Sequence, residues 1–176
     1  MINLTPNSVD CLRNLIGKSL QAIYPKIIDF KRSVGDNTKT LYGGWFDDFL
    51  CTNIFFKLEN EVFELKYQWV ENIEGDIFYD YDIIRINNLH FSQNVVPILV
   101  NKNIMKINLY GRKVNSEAKM LLSTNEEMAC DIAVVQFDDL TELLIGFSDF
   151  APEIYSESNP DSIKKVLEKY TLNYSF

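Results

Sequence analysis

Residues 132–147 read IAVVQFDDLTELLIGF, two mainly apolar runs of six residues on either side of the tetrapeptide DDLT. Short runs rich in Val, Ile and Phe are typical of strands. Because the break between them spans only four residues, they predict an antiparallel hairpin with a four-residue loop. This hairpin points to the fold class, since consecutive strands with short turns favour an antiparallel sheet over a parallel one.

A second hairpin is predicted upstream. Residues 54–58 and 62–70 flank the polar break Glu59-Asn60-Glu61, and apolar and polar residues alternate through the second segment. Further strands are predicted at residues 20–30, 77–87 and 104–112. Pro25 indicates a bulge or an edge position for the first of these, because proline lacks a backbone donor.

Two helices are predicted near the ends of the chain. A helix is predicted over residues 6–16. Thr5 can cap it, Pro6 suits its first position, and Gly17 follows its last residue. A second helix begins at Asn159-Pro160-Asp161 and carries an apolar stripe over residues 163–170.

The sequence therefore predicts an α+β fold. We expect a curved, mainly antiparallel sheet of about six to eight strands, with an N-terminal and a C-terminal helix packed on one face of it. Residues 1–176 are expected to form a single domain, because a chain of this length builds one core.

The composition is that of a folding chain without a membrane segment. The apolar share of 47% and the aromatic share of 13% exclude a disordered protein. No window approaches the roughly 18 uncharged apolar residues of a membrane span, and residues 1–10 lack the pattern of a secretory signal. Cys11, Cys51 and Cys130 are widely spaced, as in proteins with reduced thiols. We therefore expect a cytoplasmic protein.

The net charge of −8 restricts the class of partner. Residues 36–95 alone hold eleven acidic and four basic side chains. Nucleic acid binding requires clustered Lys and Arg, so we expect no nucleic acid partner. An acidic protein instead attracts basic partners, and does so faster at low salt.

The catalytic and cofactor motifs of the chain are incomplete. His90 is the single histidine, and its position between Leu89 and Phe91 favours a structural role. Gly17-Lys18-Ser19 resembles the end of a phosphate-binding loop, but Leu12 stands where that loop needs glycine. Residues 146–150, GFSDF, lack the final glycine of a nucleophile elbow. The chain also lacks zinc-ligand spacing and a dinucleotide fingerprint, so we assign no catalytic residue, metal or cofactor.

Residues 76–82 read DIFYDYD and concentrate carboxylates among aromatic rings. A calcium loop starting at Asp76 would place Tyr81 where glycine is needed, and one starting at Asp80 would place Ile84 among the ligands. A strand accommodates the pattern, because alternation puts the tyrosines on one face and the aspartates on the other. We interpret the stretch as a half-exposed strand.

Three interpretations of this acidic face are open. It is a solvated edge whose charges deter strand addition, a carboxylate pair of Asp80 and Asp82 for acid/base work on a sugar or similar substrate, or a surface that docks a basic partner. The docking interpretation uses carboxylates for steering and rings for contact area. Its residues are Glu71, Glu74, Asp76, Tyr79, Asp80, Tyr81 and Asp82, extended by Asp47 and Asp48 of GGWFDDF.

The preferred function is a noncatalytic interaction protein. It would bind and neutralise a more basic protein, as inhibitor and immunity proteins do, a hypothesis based on size, charge and incomplete catalytic motifs. The alternative is a small enzyme or ligand-binding domain with a carboxylate-lined pocket. A third option is a subunit whose sheet edges are covered by a second copy.

Overall fold

The computed structural model describes residues 6–27, 51–71, 73, 77–86, 98–121, 131–147 and 154–176. Within these ranges the chain forms three helices and nine strands, and the strand pairings are antiparallel. The predicted α+β class with a mainly antiparallel sheet is confirmed. The elements are α1 (Pro6–Leu15), β1 (Ser19–Ile27), β2 (Cys51–Leu58), β3 (Val62–Glu71), β4 (Ile77–Ile86), β5 (Ile98–Gly111), α2 (Ser116–Leu121), β6 (Ile132–Phe137), β7 (Glu142–Phe147), β8 (Ile154–Glu157), α3 (Pro160–Leu167) and β9 (Thr171–Ser175).

The nine described strands belong to one sheet in the order β1-β5-β6-β7-β8-β2-β3-β4, with β9 paired to β5. Strand β1 also pairs with β2, and within the described ranges β2 reaches β8 through the pair Cys51↔Ile154. Both predicted hairpins are present: β6 and β7 are joined by residues 138–141, and β2 and β3 by residues 59–61. Strand β5 is 14 residues long and pairs with three strands, β1, β6 and β9.

Pro25 lies inside β1, near the end of its pairing with β5. That pairing covers Ser19 to Ile23, whereas the pairing with β2 continues to Ile27. The pairing with β2 has register shifts at Leu20/Ala22 and at Lys26/Ile27. A proline costs little here, since the ladder to β5 has already ended where its missing donor would be needed.

The sheet has two strands that the sequence pattern did not predict, β8 and β9. They contain only four and five residues. Segments this short show too few periods of alternation to be distinguished from loop, so the number of strands was underestimated.

The β6–β7 hairpin is buried on both faces. Neighbouring strand residues point to opposite sides, and Val135 belongs to the main apolar cluster with Leu12 and Leu15 of α1. Val134 belongs to a second cluster with Ile163 of α3. The expectation that both helices cover one face is therefore wrong at this hairpin, because runs that are apolar at successive positions need cover on both sides. Among the described helices, none has the length and apolar character to cross a bilayer.

Candidate functional site

The acidic stretch lies on β4 and at the end of β3. Tyr79, Asp80, Tyr81 and Asp82 belong to β4, and Glu71 is the last residue of β3. The prediction that this stretch forms a strand is confirmed from residue 77 onward. The remaining predicted residues, Glu74, Asp76, Asp47 and Asp48, lie outside the described residues, and so does His90.

The β3–β4 register distinguishes the two aspartates of β4. Lys66 stands directly opposite Asp82, whereas Gln68 stands opposite Asp80. Residues directly opposite each other on antiparallel strands are the ones that interact across the pair. Asp82 therefore has a cation at the opposing position of its own sheet, and Asp80 has a neutral amide.

Strand β4 occupies the end of the strand order and, within the described ranges, pairs with β3 alone. A strand in this position offers its outer edge to another chain unless charge or cover prevents it. The solvated-edge and docking interpretations both agree with this position.

An exposed isoleucine stands between the two strands that carry the acidic residues. The side chain of Ile73 is 93% exposed, and its backbone N–H donates to Oε1 of Glu117 on α2 at 3.1 Å. On the same short helix, Met120 and Leu121 are also exposed. This apolar group was not predicted from the sequence, because an isolated isoleucine between polar neighbours shows no periodicity.

A surface cleft of about 540 Å³ lies where α1 leads into β1 and faces the β2–β3 turn. Its described lining includes four charged side chains, two cationic and two anionic, together with the polar side chains of Ser19, Asn60 and Asn103. The charged residues are Lys18, Glu59, Glu61 and Arg85. The predicted carboxylate-lined pocket thus has a counterpart among the described residues, but its carboxylates are not Asp80 and Asp82.

Glu61 connects the two cations of the cleft. Lys18 Nζ donates a hydrogen bond to Oε2, and Arg85 Nη1 lies 3.3 Å from Oε1. The Lys18 hydrogen bond, with the charges of both cations, lowers the pKa of Glu61 against an opposing effect of burial. Glu61 is therefore ionised at neutral pH, which suits cation binding and not proton donation. Lys18 and Glu61 are 43 positions apart, so no local pattern predicts their contact.

A small cavity of about 50 Å³ lies in the main core, lined by α1 and by β1 to β7. All of its described lining residues are apolar, including Leu12, Leu65, Ala133, Val135 and Leu143. A cavity without polar partners does not hold water well, and this one offers no group for acid/base chemistry.

A buried ion pair lies at the start of β6. Asp131 is 2% exposed, and its Oδ2 accepts a hydrogen bond from Arg112 Nε at 2.8 Å. Asp131 Oδ1 has no hydrogen-bond partner among the described residues. Arg112 is therefore needed to compensate a charge that is removed from water.

The described residues contain no group of three or more His, Cys, Asp or Glu side chains arranged to hold a metal ion. Comparison of the chain with protein-family models, with curated proteins and with solved structures gives no match.

Proposed function

We propose that this protein is a noncatalytic, cytoplasmic interaction protein that binds a more basic protein, in the manner of inhibitor and immunity proteins. The docking surface is formed by the acidic residues of β3, β4 and the segment between them, with Tyr79 and Tyr81 at its margin. Asp47 and Asp48 extend it. The observation that carries the proposal is the exposure of Ile73, at 93%, within this acidic stretch.

Ile73 supports docking over plain solubility. A solvated edge needs only charge, and an exposed isoleucine there adds nothing to solubility. A docking surface uses apolar residues for contact area and carboxylates for steering and orientation. The backbone N–H of Ile73 donates to Glu117 Oε1, which ties this exposed residue to α2.

The β3–β4 register supports a division of roles between the aspartates. Lys66 opposite Asp82 supplies a competing cation from the same chain, while Gln68 opposite Asp80 supplies none. We therefore assign the larger part of partner binding to Asp80. Asp80→Asn should weaken binding more than Asp82→Asn.

The experiment is capture of partners by the immobilised protein from a native lysate at low and high salt, with identification of the eluted proteins by mass spectrometry. We expect a basic protein that is retained at low salt and released at high salt. The variant Asp80→Lys/Asp82→Lys should lose it, and the affinity of the purified pair should fall at least about tenfold.

The matched control is Asp10→Lys/Glu168→Lys, which makes the same charge change at exposed positions on and beside α1 and α3. It should retain the partner. Equal capture by the wild type and both variants, at either salt concentration, contradicts the proposed docking surface.

A second candidate function is favoured by the 540 Å³ cleft. Its two cations and two carboxylates suit a small zwitterion, whose ammonium group would meet Glu59 or Glu61 and whose anionic group would meet Lys18 or Arg85. A thermal-shift screen of amino acids and short peptides tests it. The expected stabilisation should disappear in Arg85→Gln and persist in Lys106→Gln, which removes an exposed cation of β5 that is not among the lining residues.

A further inference from the structure

The turn of the β6–β7 hairpin places a leucine in a backbone conformation that favours glycine. Leu140 N donates to Phe137 O at 3.0 Å and Phe137 N donates to Thr141 O at 2.9 Å, which closes a tight turn over residues 138–140. Leu140 has φ of +65°, in the left-handed region. Three-residue hairpin turns place glycine at this position, because a β-carbon there is strained.

The strain at Leu140 has no compensation from burial. The side chain is 79% exposed, so it contributes little to the core of its own chain. A branched apolar residue that is both strained and exposed loses stability through its backbone and gains almost none from burial. Sequence choices of this kind are expected where a residue serves contact with another molecule.

Hydrogen bonds and an ion pair tie the turn that carries Leu140 to β5. Lys102 Nζ lies 2.7 Å from Asp139 Oδ2 and donates to Thr141 Oγ1 at 2.7 Å. Asn103 Nδ2 donates to Asp138 Oδ2 at 2.7 Å, and Asp138 N donates to Asn103 O at 3.0 Å. Such bracing lowers the entropy that the turn would lose on binding, which is the condition for an anchor residue.

The charges around Leu140 indicate the chemistry of the molecule that receives it. Asp138 and Asp139 precede it and Glu142 follows it, and Lys102 of the neighbouring β5 pairs with Asp139. An apolar pocket rimmed by Lys or Arg complements an apolar tip flanked by carboxylates. A second copy of this chain is the poorer occupant, since each copy carries a net charge of −8.

We propose that Leu140 is an anchor that enters an apolar pocket with a basic rim on a partner protein. The inference deepens the proposed function, from which it takes the basic character of the partner, and it adds a contact point on a different hairpin. It predicts that Leu140 is retained for binding at the expense of stability.

The first test measures whether replacing Leu140 raises or lowers the melting temperature Tm. Leu140→Gly and Leu140→Asn relieve the strained φ, so at least one should raise Tm by about 2 °C or more. The control Leu99→Thr replaces another exposed leucine, on β5, by a residue that strands favour and should leave Tm nearly unchanged. A fall in Tm for both Leu140 variants would show that Leu140 serves its own fold, and would overturn the inference.

The second test uses a synthetic pocket of the inferred chemistry, a β-cyclodextrin with ammonium groups on one rim. In methyl NMR titrations the Leu140 methyl signals should shift most, and binding should weaken with neutral cyclodextrin and further with sulfated cyclodextrin. Leu140→Met should retain binding and Leu140→Gly should lose it. Shifts that map to other methyl groups, or equal binding by Leu140→Gly, contradict the inference.

Capture of the basic partner separates the two proposals. Loss of at least about tenfold in affinity with Leu140→Gly supports the anchor. If the Asp80→Lys/Asp82→Lys variant weakens binding and Leu140→Gly does not, the anchor is wrong and the proposed function stands. The reverse result leaves the anchor and overturns the β4 surface.

Discussion

Asp139 is an exposed residue whose charge state depends on its neighbours. The hydrogen bond from Lys102, followed by that from the Thr141 hydroxyl at 2.5 Å, lowers its pKa from 3.8 to about 2. A carboxylate with a lowered pKa stabilises the fold above its ordinary pKa, and this contribution is lost as pH falls through the folded value. Asp139→Asn should therefore lower Tm at neutral pH, and the difference from the wild type should shrink between about pH 4 and pH 2.

Thermal unfolding across this pH range measures the difference. Asp10→Asn is the control, because Asp10 is an exposed aspartate of α1 without an ion pair to any described residue. Its difference from the wild type should stay small throughout. A difference for Asp139→Asn that persists unchanged at about pH 2 contradicts the assigned role of Lys102.

The Arg112–Asp131 pair makes a second prediction at the residue scale. Arg112→Met leaves the Asp131 carboxylate buried without its cation, which should cost about 3 kcal/mol of unfolding free energy. Asp131→Leu/Arg112→Met removes both charges and should cost less than the single change. Urea denaturation of the three proteins measures this order, and a double variant less stable than Arg112→Met would contradict it.

At the scale of elements, α3 depends on its cap. Asn159 Oδ1 accepts hydrogen bonds from Asp161 N at 3.0 Å and Ser162 N at 3.3 Å, and buried Glu157 accepts from Asn159 N at 2.7 Å. Asn159→Ala should lower the unfolding free energy by about 1 kcal/mol, because two helix N–H groups lose their acceptor. Asn159→Asp keeps the acceptor and should be close to the wild type in urea denaturation. Equal loss in both variants would show that the cap bonds do not matter.

At the scale of the whole molecule, the two faces of β6 differ in packing. Val135 lines the 50 Å³ cavity, whereas Val134 packs in the cluster that holds α3. Val135→Ile should fill part of the cavity and raise the unfolding free energy by about 0.8 kcal/mol. Val134→Ile adds the same group at a buried position that does not line this cavity, and should cost about 1 kcal/mol or more. Equal effects in chemical denaturation would contradict the two-face arrangement.

Local chemistry explains why most elements were predictable. The Asn159-Pro160-Asp161 start of α3, the two hairpins and the strand at the acidic stretch all follow from signals within a few residues. The two short strands and the opposite placement of the helices did not follow, because they depend on which surfaces remain uncovered once the sheet forms.

The candidate site, too, could be predicted from the sequence only in part. The strand that carries Asp80 and Asp82 was predictable from alternation, while the β3–β4 register that opposes Lys66 to Asp82 depends on pairing between strands. Ile73 became visible only through its exposure, whereas Leu140 lies in the predicted loop DDLT and became visible only through its positive φ. Exposure results from the packing of the whole chain, and no pattern of neighbouring residues encodes it.

By itself the sequence determined the α+β class, the position of the hairpins and the acidic character of β4, because turns, caps and alternation act over a few residues. The tertiary structure alone decided that α1 and α3 pack on opposite faces of β6–β7 and that Lys18, Glu61 and Arg85 meet in one cleft. These features join residues far apart in the chain, and their energies arise from packing and charge contacts that exist only after folding.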